Sequence, residues 1–211
     1  MRKFWGVLFM LLGLALVAGS LMLVMHNRQE DQTAREFSDA VIPALREEVQ
    51  KIHETAPAGS ATAPAENIPV EFLSPEELVM TEKIINGYAY IGYLTIPELG
   101  LELPVMSGWD SRRLQISPCR FTGTVKGEDI VIMAHNYSTH FGRISKLGIG
   151  SQVQFMDMDG KLWSYQVEAI DVLAAEAVEE MTAGEYDLTL FTCDKNRSYR
   201  VTVRCNRTVE E

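Results

Sequence analysis

Short apolar runs separated by turn residues fill the chain after Gly87, and this pattern constrains the fold more than any other feature. The runs are five to nine residues long and rich in β-branched and aromatic side chains, with Gly, Pro and Asp between them. Residues 157–160, Asp-Met-Asp-Gly, are typical of a hairpin turn. Many short strands with frequent turns predict a closed or nearly closed antiparallel sheet. The predicted strands are 88–96, 101–106, 130–134, 152–156, 163–170, 188–192 and 200–204.

The amino-terminal segment is apolar over a length that suits a membrane. Residues 4–25 contain no charge in 22 positions, and as a helix they would span roughly 33 Å, enough for a bilayer core. Arg2 and Lys3 precede this segment, which favours an amino terminus in the cytoplasm and the remainder outside. The alternative is a cleaved signal peptide cut before Ser20, but the apolar run continues beyond that point. We therefore predict a single-pass membrane anchor over residues 1–27.

Residues 28–68 read as a helical stalk followed by an Ala/Pro-rich linker. Apolar residues recur at spacings of four and three, which is typical of one helical face, and Pro43 should kink or split this helix. The helix could pack on the following domain or pair with a second copy, although a marginal surface helix that only raises the domain off the membrane is the simpler interpretation. The small residues of 56–65 indicate a tether. The apolar face consists of Phe37, Val41, Leu45, Val49 and Ile52.

Composition limits the remaining possibilities. A chain of 211 residues with 46% hydrophobic content suits one well-cored domain plus appendages, and we assign that domain to residues 69–211. With 19 basic against 29 acidic residues, nucleic acid is not an expected partner. Three cysteines are too few for a disulfide framework. A bridge between Cys119 and Cys205 stays open, but both residues read as ordinary core positions.

A thiol, an imidazole and a guanidinium stand at predicted strand ends. Cys193 follows strand 188–192, Arg200 begins the next strand and His135 follows strand 130–134. A free thiol is mostly protonated at neutral pH, so a neighbouring cation is needed to activate it, and this set suits acyl transfer. Two non-catalytic interpretations remain. Cys193 could be an inert buried thiol, and His135 could be a hydrogen-bonded imidazole at a strand end. His140, in the following loop, competes with His135 for the role of acid and base.

At these residues the chain resembles the sortases, cysteine transpeptidases on the surface of Gram-positive bacteria. The resemblance is carried by Thr-Leu-Phe-Thr-Cys at 189–193, Ala-His-Asn at 134–136 and Arg-Val-Thr-Val-Arg at 200–204. Tyr-Leu-Thr-Ile-Pro at 93–97 and Leu-Pro-Val at 103–105 are similar to the family's first two strands. It implies a mainly β fold, a closed eight-stranded barrel with short helices behind the membrane helix and stalk.

The resemblance also implies the site and the reaction. Cys193 would be the nucleophile, His135 the acid and base, and Arg200 the cation, with Thr192, Ala134 and Asn136 as substrate contacts and no cofactor. For Thr192, ordinary strand propensity is an equal alternative. The substrates would be surface proteins with a Leu-Pro-x-Thr-Gly-type sorting signal and an amine of a cell-wall precursor or a pilin, at the outer face of the plasma membrane.

Departures from the family pattern bear on the subgroup. The segment 194–199 is short, Ala134 stands where the family has glycine, and neither a second hydrophobic stretch nor an aromatic lid is evident. These features favour a housekeeping or accessory enzyme over the pilin-polymerising subgroup. The short segment 172–187 argues against the haem-uptake subgroup.

Two other classes of function stay open. A cysteine hydrolase is one, although papain-like enzymes place Cys before His, opposite to the order here. A membrane-tethered, non-catalytic binding barrel is the other. We predict no required metal, because scattered acids usually form a solvated face. The acidic residues that could bind calcium are Glu176, Glu179, Glu180, Glu185 and Asp187.

Overall fold

Within the described residues, nine strands and three α-helices follow one another along the chain. The computed structural model describes residues 2–55, 74, 76–183, 185–194 and 197–208, so the predicted tether at 56–65 lies outside the described residues. The helices are α1 (Arg2–Thr55), α2 (Ser111–Ile116) and α3 (Val178–Thr182). The strands are β1 (Lys83–Ile85), β2 (Tyr88–Ile96), β3 (Leu101–Met106), β4 (Cys119–Thr122), β5 (Ile130–Met133), β6 (Gln152–Asp157), β7 (Leu162–Ala174), β8 (Leu188–Cys193) and β9 (Tyr199–Arg207).

Eight of these strands close into a barrel. Their order is β2-β3-β4-β5-β8-β9-β7-β6, and β6 pairs back onto β2, while β1 adds to the outside of β2. The β3–β4 and β5–β8 pairs are parallel. The predicted closed barrel with short helices is thus confirmed, but the prediction of a purely antiparallel sheet was wrong. The parallel β5–β8 pair needs a crossover connection, and the chain between these strands supplies β6, β7 and α3.

Closure of the barrel depends on a close approach between β2 and β6. Gly92 has φ +154, and a Cβ there would lie 2.1 Å from the carbonyl oxygen of Met156. Only glycine tolerates both conditions. The β2–β3 register shifts at the same position, which bends β2 toward β6.

The barrel core is filled by alternate residues of the strands. Leu94, Ile132 and Leu190 are fully buried in one cluster inside the barrel. Since side chains alternate between the two faces of a strand, the neighbours of these residues along each strand point outward. Phe191 and Val131 accordingly belong to a separate cluster on the outer face.

Helix α1 has two parts with different surroundings. It runs from Arg2 to Thr55 without interruption, so Pro43 does not split it. Within the described residues, α1 contains the one stretch long and apolar enough to cross a membrane. Large apolar side chains of this stretch, such as Leu16 and Met22, are exposed.

The second part of α1 packs on the barrel and does not stand free as a surface helix. Val41, Leu45 and Val49, predicted to share one face, are buried against Tyr90 and Met106. Polar contacts flank this apolar interface. Arg46 pairs with Glu102 at 2.6 Å, and His53 lies 3.0 Å from the carbonyl oxygen of Gly160.

Candidate active site

The three residues predicted to carry the chemistry stand at neighbouring strand ends of the barrel. In the parallel β5–β8 pair Met133 lies opposite Phe191, so two residues further along each strand His135 comes beside Cys193. In the antiparallel β8–β9 pair Cys193 lies directly opposite Arg200, and opposite residues of such a pair share one face. Cys193 therefore lies opposite Arg200 on one side, and on its other side the chain that carries His135 continues from the end of β5.

Cys193 is the cysteine that solvent can reach. All three cysteines are free, with Cys119 and Cys205 buried and Cys193 half-buried. Burial raises the pKa of Cys119 and of Cys205 to about 12. The expected alternative of a Cys119–Cys205 bridge is not formed. Only a thiol that is both accessible and next to cations suits nucleophilic chemistry.

His135 and His140 have different environments. Burial and the charge of Arg197 lower the pKa of His135, whereas Glu30 opposes this shift. His140 is completely buried, and neither ring nitrogen has a hydrogen-bond partner among the described residues. Burial and repulsion from His135 lower the pKa of His140 to about 4. His135 alone of the two combines partial exposure with a position beside the thiol.

The guanidinium of Arg200 is held by backbone oxygens. Its Nη1 atom donates to the carbonyl oxygens of Arg197, at 3.5 Å, and Tyr199, at 3.3 Å. These bonds leave other N–H groups of the guanidinium for a ligand, since arginine carries five.

The other arginines of the segment have different roles. Arg204 lies four residues beyond Arg200 on β9. It is buried, donates to the carbonyl oxygens of Met181 and Glu180 in α3, and pairs with Asp171 at 3.5 Å. Arg204 therefore fixes α3 to β9.

The three predicted substrate contacts lie at the junction of β5 and β8. Thr192 is buried, and its hydroxyl donates to the carbonyl oxygen of Ala134 at 2.8 Å. The Asn136 side-chain amide donates to the carbonyl oxygen of Asp194 at 3.4 Å. Thr192 and Asn136 line a cavity of about 210 Å³ beside Cys193, whereas Ala134 belongs to the barrel core. The link from Thr192 to Ala134 ties the strand that ends at His135 to the strand that carries the thiol.

An apolar patch lies on the outer face, close to Cys193, and was not predicted from the sequence. Its centre is Phe191, whose ring meets that of Phe121 edge to face at 5.5 Å, and Phe121 stacks on the half-exposed Trp109 at 5.8 Å. No periodic signal marked these residues, because β4 has only four residues and Trp109 lies in a connection. We call this group the outer apolar patch. It consists of Trp109, Phe121, Val131, Met133, Leu173, Met181 and Phe191.

Comparison with known proteins identifies the family. A model of the sortase domain family matches residues 94–208, more than half of the chain. The chain belongs to the sortase family. No curated relative matches it. Within the described residues, no group of three or more His, Cys, Asp or Glu side chains could hold a metal ion.

Solved sortase structures resemble this sortase over most of its length. Sortase C1 from Streptococcus suis has a TM-score of 0.51 at 27% identity, covering 58% of this chain and 74% of its own. Sortase C-1 from Actinomyces oris has a TM-score of 0.50 at 26% identity, covering 56% and 73%. Sortase C from Clostridium perfringens SM101 has a TM-score of 0.53 at 22% identity, covering 90% and 99%, and this match supports the fold alone.

Proposed function

We propose that this sortase is a membrane-anchored cysteine transpeptidase in which Cys193, His135 and Arg200 perform the chemistry. The observation that supports the proposal best is the position of Cys193 between the other two on adjacent strands. A nucleophile flanked by a proton carrier and a fixed cation is the minimum set for acyl transfer through a thioester.

The first half-reaction forms an acyl-enzyme. The Cys193 thiolate attacks the carbonyl carbon of the threonine in a Leu-Pro-x-Thr-Gly-type signal, and a C–S bond forms. Arg200 donates to the oxygen that gains negative charge. The C–N bond then breaks, and the imidazolium of His135 supplies the proton that the leaving amine needs.

The second half-reaction transfers the acyl group to an amine. Neutral His135 removes a proton from the incoming ammonium group, whose nitrogen then attacks the thioester carbonyl. The C–N bond forms as the C–S bond breaks, the nitrogen releases its surplus proton to solvent, and the Cys193 thiolate returns. Burial and Arg197 lower the pKa of His135, which favours the neutral base in this step and disfavours the imidazolium that the first half-reaction uses.

The half-exposed Trp109 of the outer apolar patch offers a contact for the apolar residues of the signal, whereas Val131, Met181 and Phe191 of the same patch are buried. The patch begins two residues from Cys193, at Phe191, and the ring of Trp109 is partly open to solvent. We assign Thr192 and Asn136 to the cavity side of the substrate site and Ala134 to its support.

The acceptor amine belongs to a cell-wall precursor or a pilin. We propose a housekeeping or accessory enzyme from the sequence pattern, and the five-residue α3 between β7 and β8 fits no long helical insertion. The similar structures from S. suis and A. oris are named sortase C. A pilin lysine is therefore tested as an acceptor alongside the cell-wall amine.

The proposed location is the outer face of the plasma membrane. Residues 1–27 would form the anchor, 28–68 the stalk and linker, and 69–211 the catalytic domain. The exposed apolar part of α1 supports an anchor, since such a surface needs a cover of lipid.

The test is mass spectrometry of the full chain in detergent micelles, because α1 packs on the barrel. A pool of Leu-Pro-x-Thr-Gly-type peptides should give a peptide-sized thioester adduct that is absent in Cys193→Ala and at least tenfold less abundant in Arg200→Ala. Arg35→Ala, at an exposed position of α1, is the matched control.

Added amines separate transfer from hydrolysis. A diaminopimelate-type wall peptide and a lysine peptide should each convert the adduct to an amide product. A free acid as the sole product under both conditions would indicate a cysteine hydrolase. Absence of any adduct, together with a Cys193 inert to alkylation, would indicate a binding barrel.

A further inference from the structure

Helix α1 contacts the loop that carries His135 mainly through the carboxylate of Asp31. Asp31 accepts a hydrogen bond from the Ser138 hydroxyl, one from the Thr139 amide at 3.0 Å and one from the Thr139 hydroxyl at 2.6 Å. Ser138 and Thr139 lie 107 and 108 positions after Asp31 in the chain. Burial alone would raise the pKa of Asp31, but the hydrogen bonds from Ser138 and Thr139 lower it. The carboxylate is therefore ionised and fully engaged with the loop.

The loop transmits this contact to His135 because it is closed on itself. The Phe141 amide donates to the carbonyl oxygen of His135 at 3.2 Å, and the Gly142 amide donates to that of Tyr137 at 2.8 Å. A Cβ on Gly142 would lie 2.3 Å from the carbonyl oxygen of Asn136, so the turn is tightly packed. A displacement of Ser138 and Thr139 would thus move the backbone of His135.

A second contact from α1 reaches the ring beside His135. The Tyr137 ring lies 5.0 Å from the His135 ring, centre to centre. The neighbour of Asp31, Glu30, interacts with the Tyr137 hydroxyl. One turn of α1 therefore supports both the loop backbone and the ring that packs on the imidazole.

The opposite side of His135 is held by the sheet. The Thr192 hydroxyl fixes the carbonyl oxygen of Ala134, and the Ala134 amide donates to the carbonyl oxygen of Phe191 at 3.2 Å. The barrel thus fixes the residue before His135, whereas α1 fixes the residues after Tyr137. Without α1, one of the two supports of the imidazole would be missing.

We propose that Asp31 is a positioning residue for transpeptidation, which holds the His135 loop in the geometry that delivers a proton to the leaving amine. This inference rests on the proposed function. Asp31 acts through Ser138 and Thr139, so its effect concerns the step that uses the imidazole. Proton transfer is sensitive to displacements of an ångström or less, and general acid catalysis contributes by itself a factor of about 10² to 10⁴.

The test compares two leaving groups in the full chain in detergent micelles. One is a pool of Leu-Pro-x-Thr-Gly-type peptides, and the other is the same pool with the Thr–Gly amide replaced by a thioester, whose thiolate departs without a proton. Asp31→Ala should slow acylation by the amide pool roughly 10- to 100-fold and leave the thioester rate within about twofold of wild type. Asp31→Asn, which keeps one acceptor oxygen, should fall between. Asp39→Ala, an exposed site on the same helix paired with Arg35, is the control.

Amide hydrogen exchange gives a second measurement that needs no activity. Asp31→Ala should speed exchange at residues 139–142 relative to wild type and Asp39→Ala. Unchanged exchange in this segment would overturn the proposal even if the enzyme is a transpeptidase. Equal losses with amide and thioester would also overturn it, because they indicate general damage. An inactive wild type would contradict the proposed function. The exchange result would then test only whether Asp31 stabilises the His135 loop.

Discussion

At the scale of single residues, burial separates the three cysteines. Cys119 and Cys205 lie in the core with raised pKa values, and Cys193 is half-buried at a strand end. We expect iodoacetamide at pH 7 to modify Cys193 in the folded chain and to leave the other two intact, since alkylation needs an accessible thiolate. Peptide mapping by mass spectrometry measures this, with urea-unfolded chain as the control in which all three react. Early modification of Cys119 would contradict the packing of α1 over it.

His140 gives the molecule an acid-sensitive point. Burial lowers its pKa to about 4 from the ordinary value of 6.5, so the unfolded chain binds a proton there before the native chain does as the pH falls. The free energy of unfolding should therefore be unaffected by this group above pH 6.5 and should fall as the pH drops toward 4, by roughly 3 kcal/mol in total.

A variant isolates that contribution. His140→Phe keeps a ring beside Tyr137, which lies 5.6 Å from His140, and removes the titration. Urea unfolding at pH 7 and pH 4.5 should show a smaller loss of stability in His140→Phe than in wild type. Equal losses in both proteins would mean that His140 is not the group responsible.

At the scale of elements, the turn after His135 depends on a glycine. Gly142→Ala places a Cβ 2.3 Å from the carbonyl oxygen of Asn136 and 2.7 Å from that of Tyr137, so the loop must shift. We expect a loss of stability of about 1–3 kcal/mol and a fall in transpeptidation of roughly tenfold or more. Gly148→Ala, with no atom within 4 Å of the new Cβ, is the matched control. Thermal unfolding and the acyl-enzyme assay report the two effects, and equal behaviour of both variants would contradict the model of the turn.

The strands differ in how far their sequence predicts them. Strands 88–96 and 101–106 were predicted with the bounds that β2 and β3 have, because apolar alternation and flanking Gly and Pro mark both ends. β4 was missed, since its four residues are too few to show a period, and one bridge, Met106 to Cys119, joins it to β3. The parallel β5–β8 register is not visible locally either, because it joins residues 58 apart such as Met133 and Phe191.

The candidate site shows the same limit. The order and spacing of His135, Cys193 and Arg200 were readable because each stands at a predicted strand end. The outer apolar patch was not, because Trp109 and Phe121 join it only after folding. The role of Asp31 was not predictable either, since a single acidic residue on a helix gives no sign of a partner 107 residues away.

At the scale of the whole molecule, the second part of α1 packs on the barrel as part of its core. Leu45 is fully buried between α1 and the barrel. Leu45→Ala should lower the free energy of unfolding of the barrel by about 2–5 kcal/mol, measured by urea titration with Tyr and Trp fluorescence. Leu16→Ala, in the exposed apolar part of α1, should leave that value unchanged. No effect of Leu45→Ala would indicate that α1 detaches in solution.

The unbroken course of α1 also sets the height of the catalytic centre. From Met25, the last residue of the apolar run, to Asp31 a helix rises about 9 Å, and Asp31 already contacts the His135 loop. With residues 4–25 in the bilayer, the thiol would work within the layer of lipid head groups and a little beyond. An extended peptide covers that height in about three residues. With the proposed anchor, a substrate tied to the same membrane would present its scissile bond only a few residues from the point where it leaves the bilayer, and encounters would reduce to diffusion in a plane.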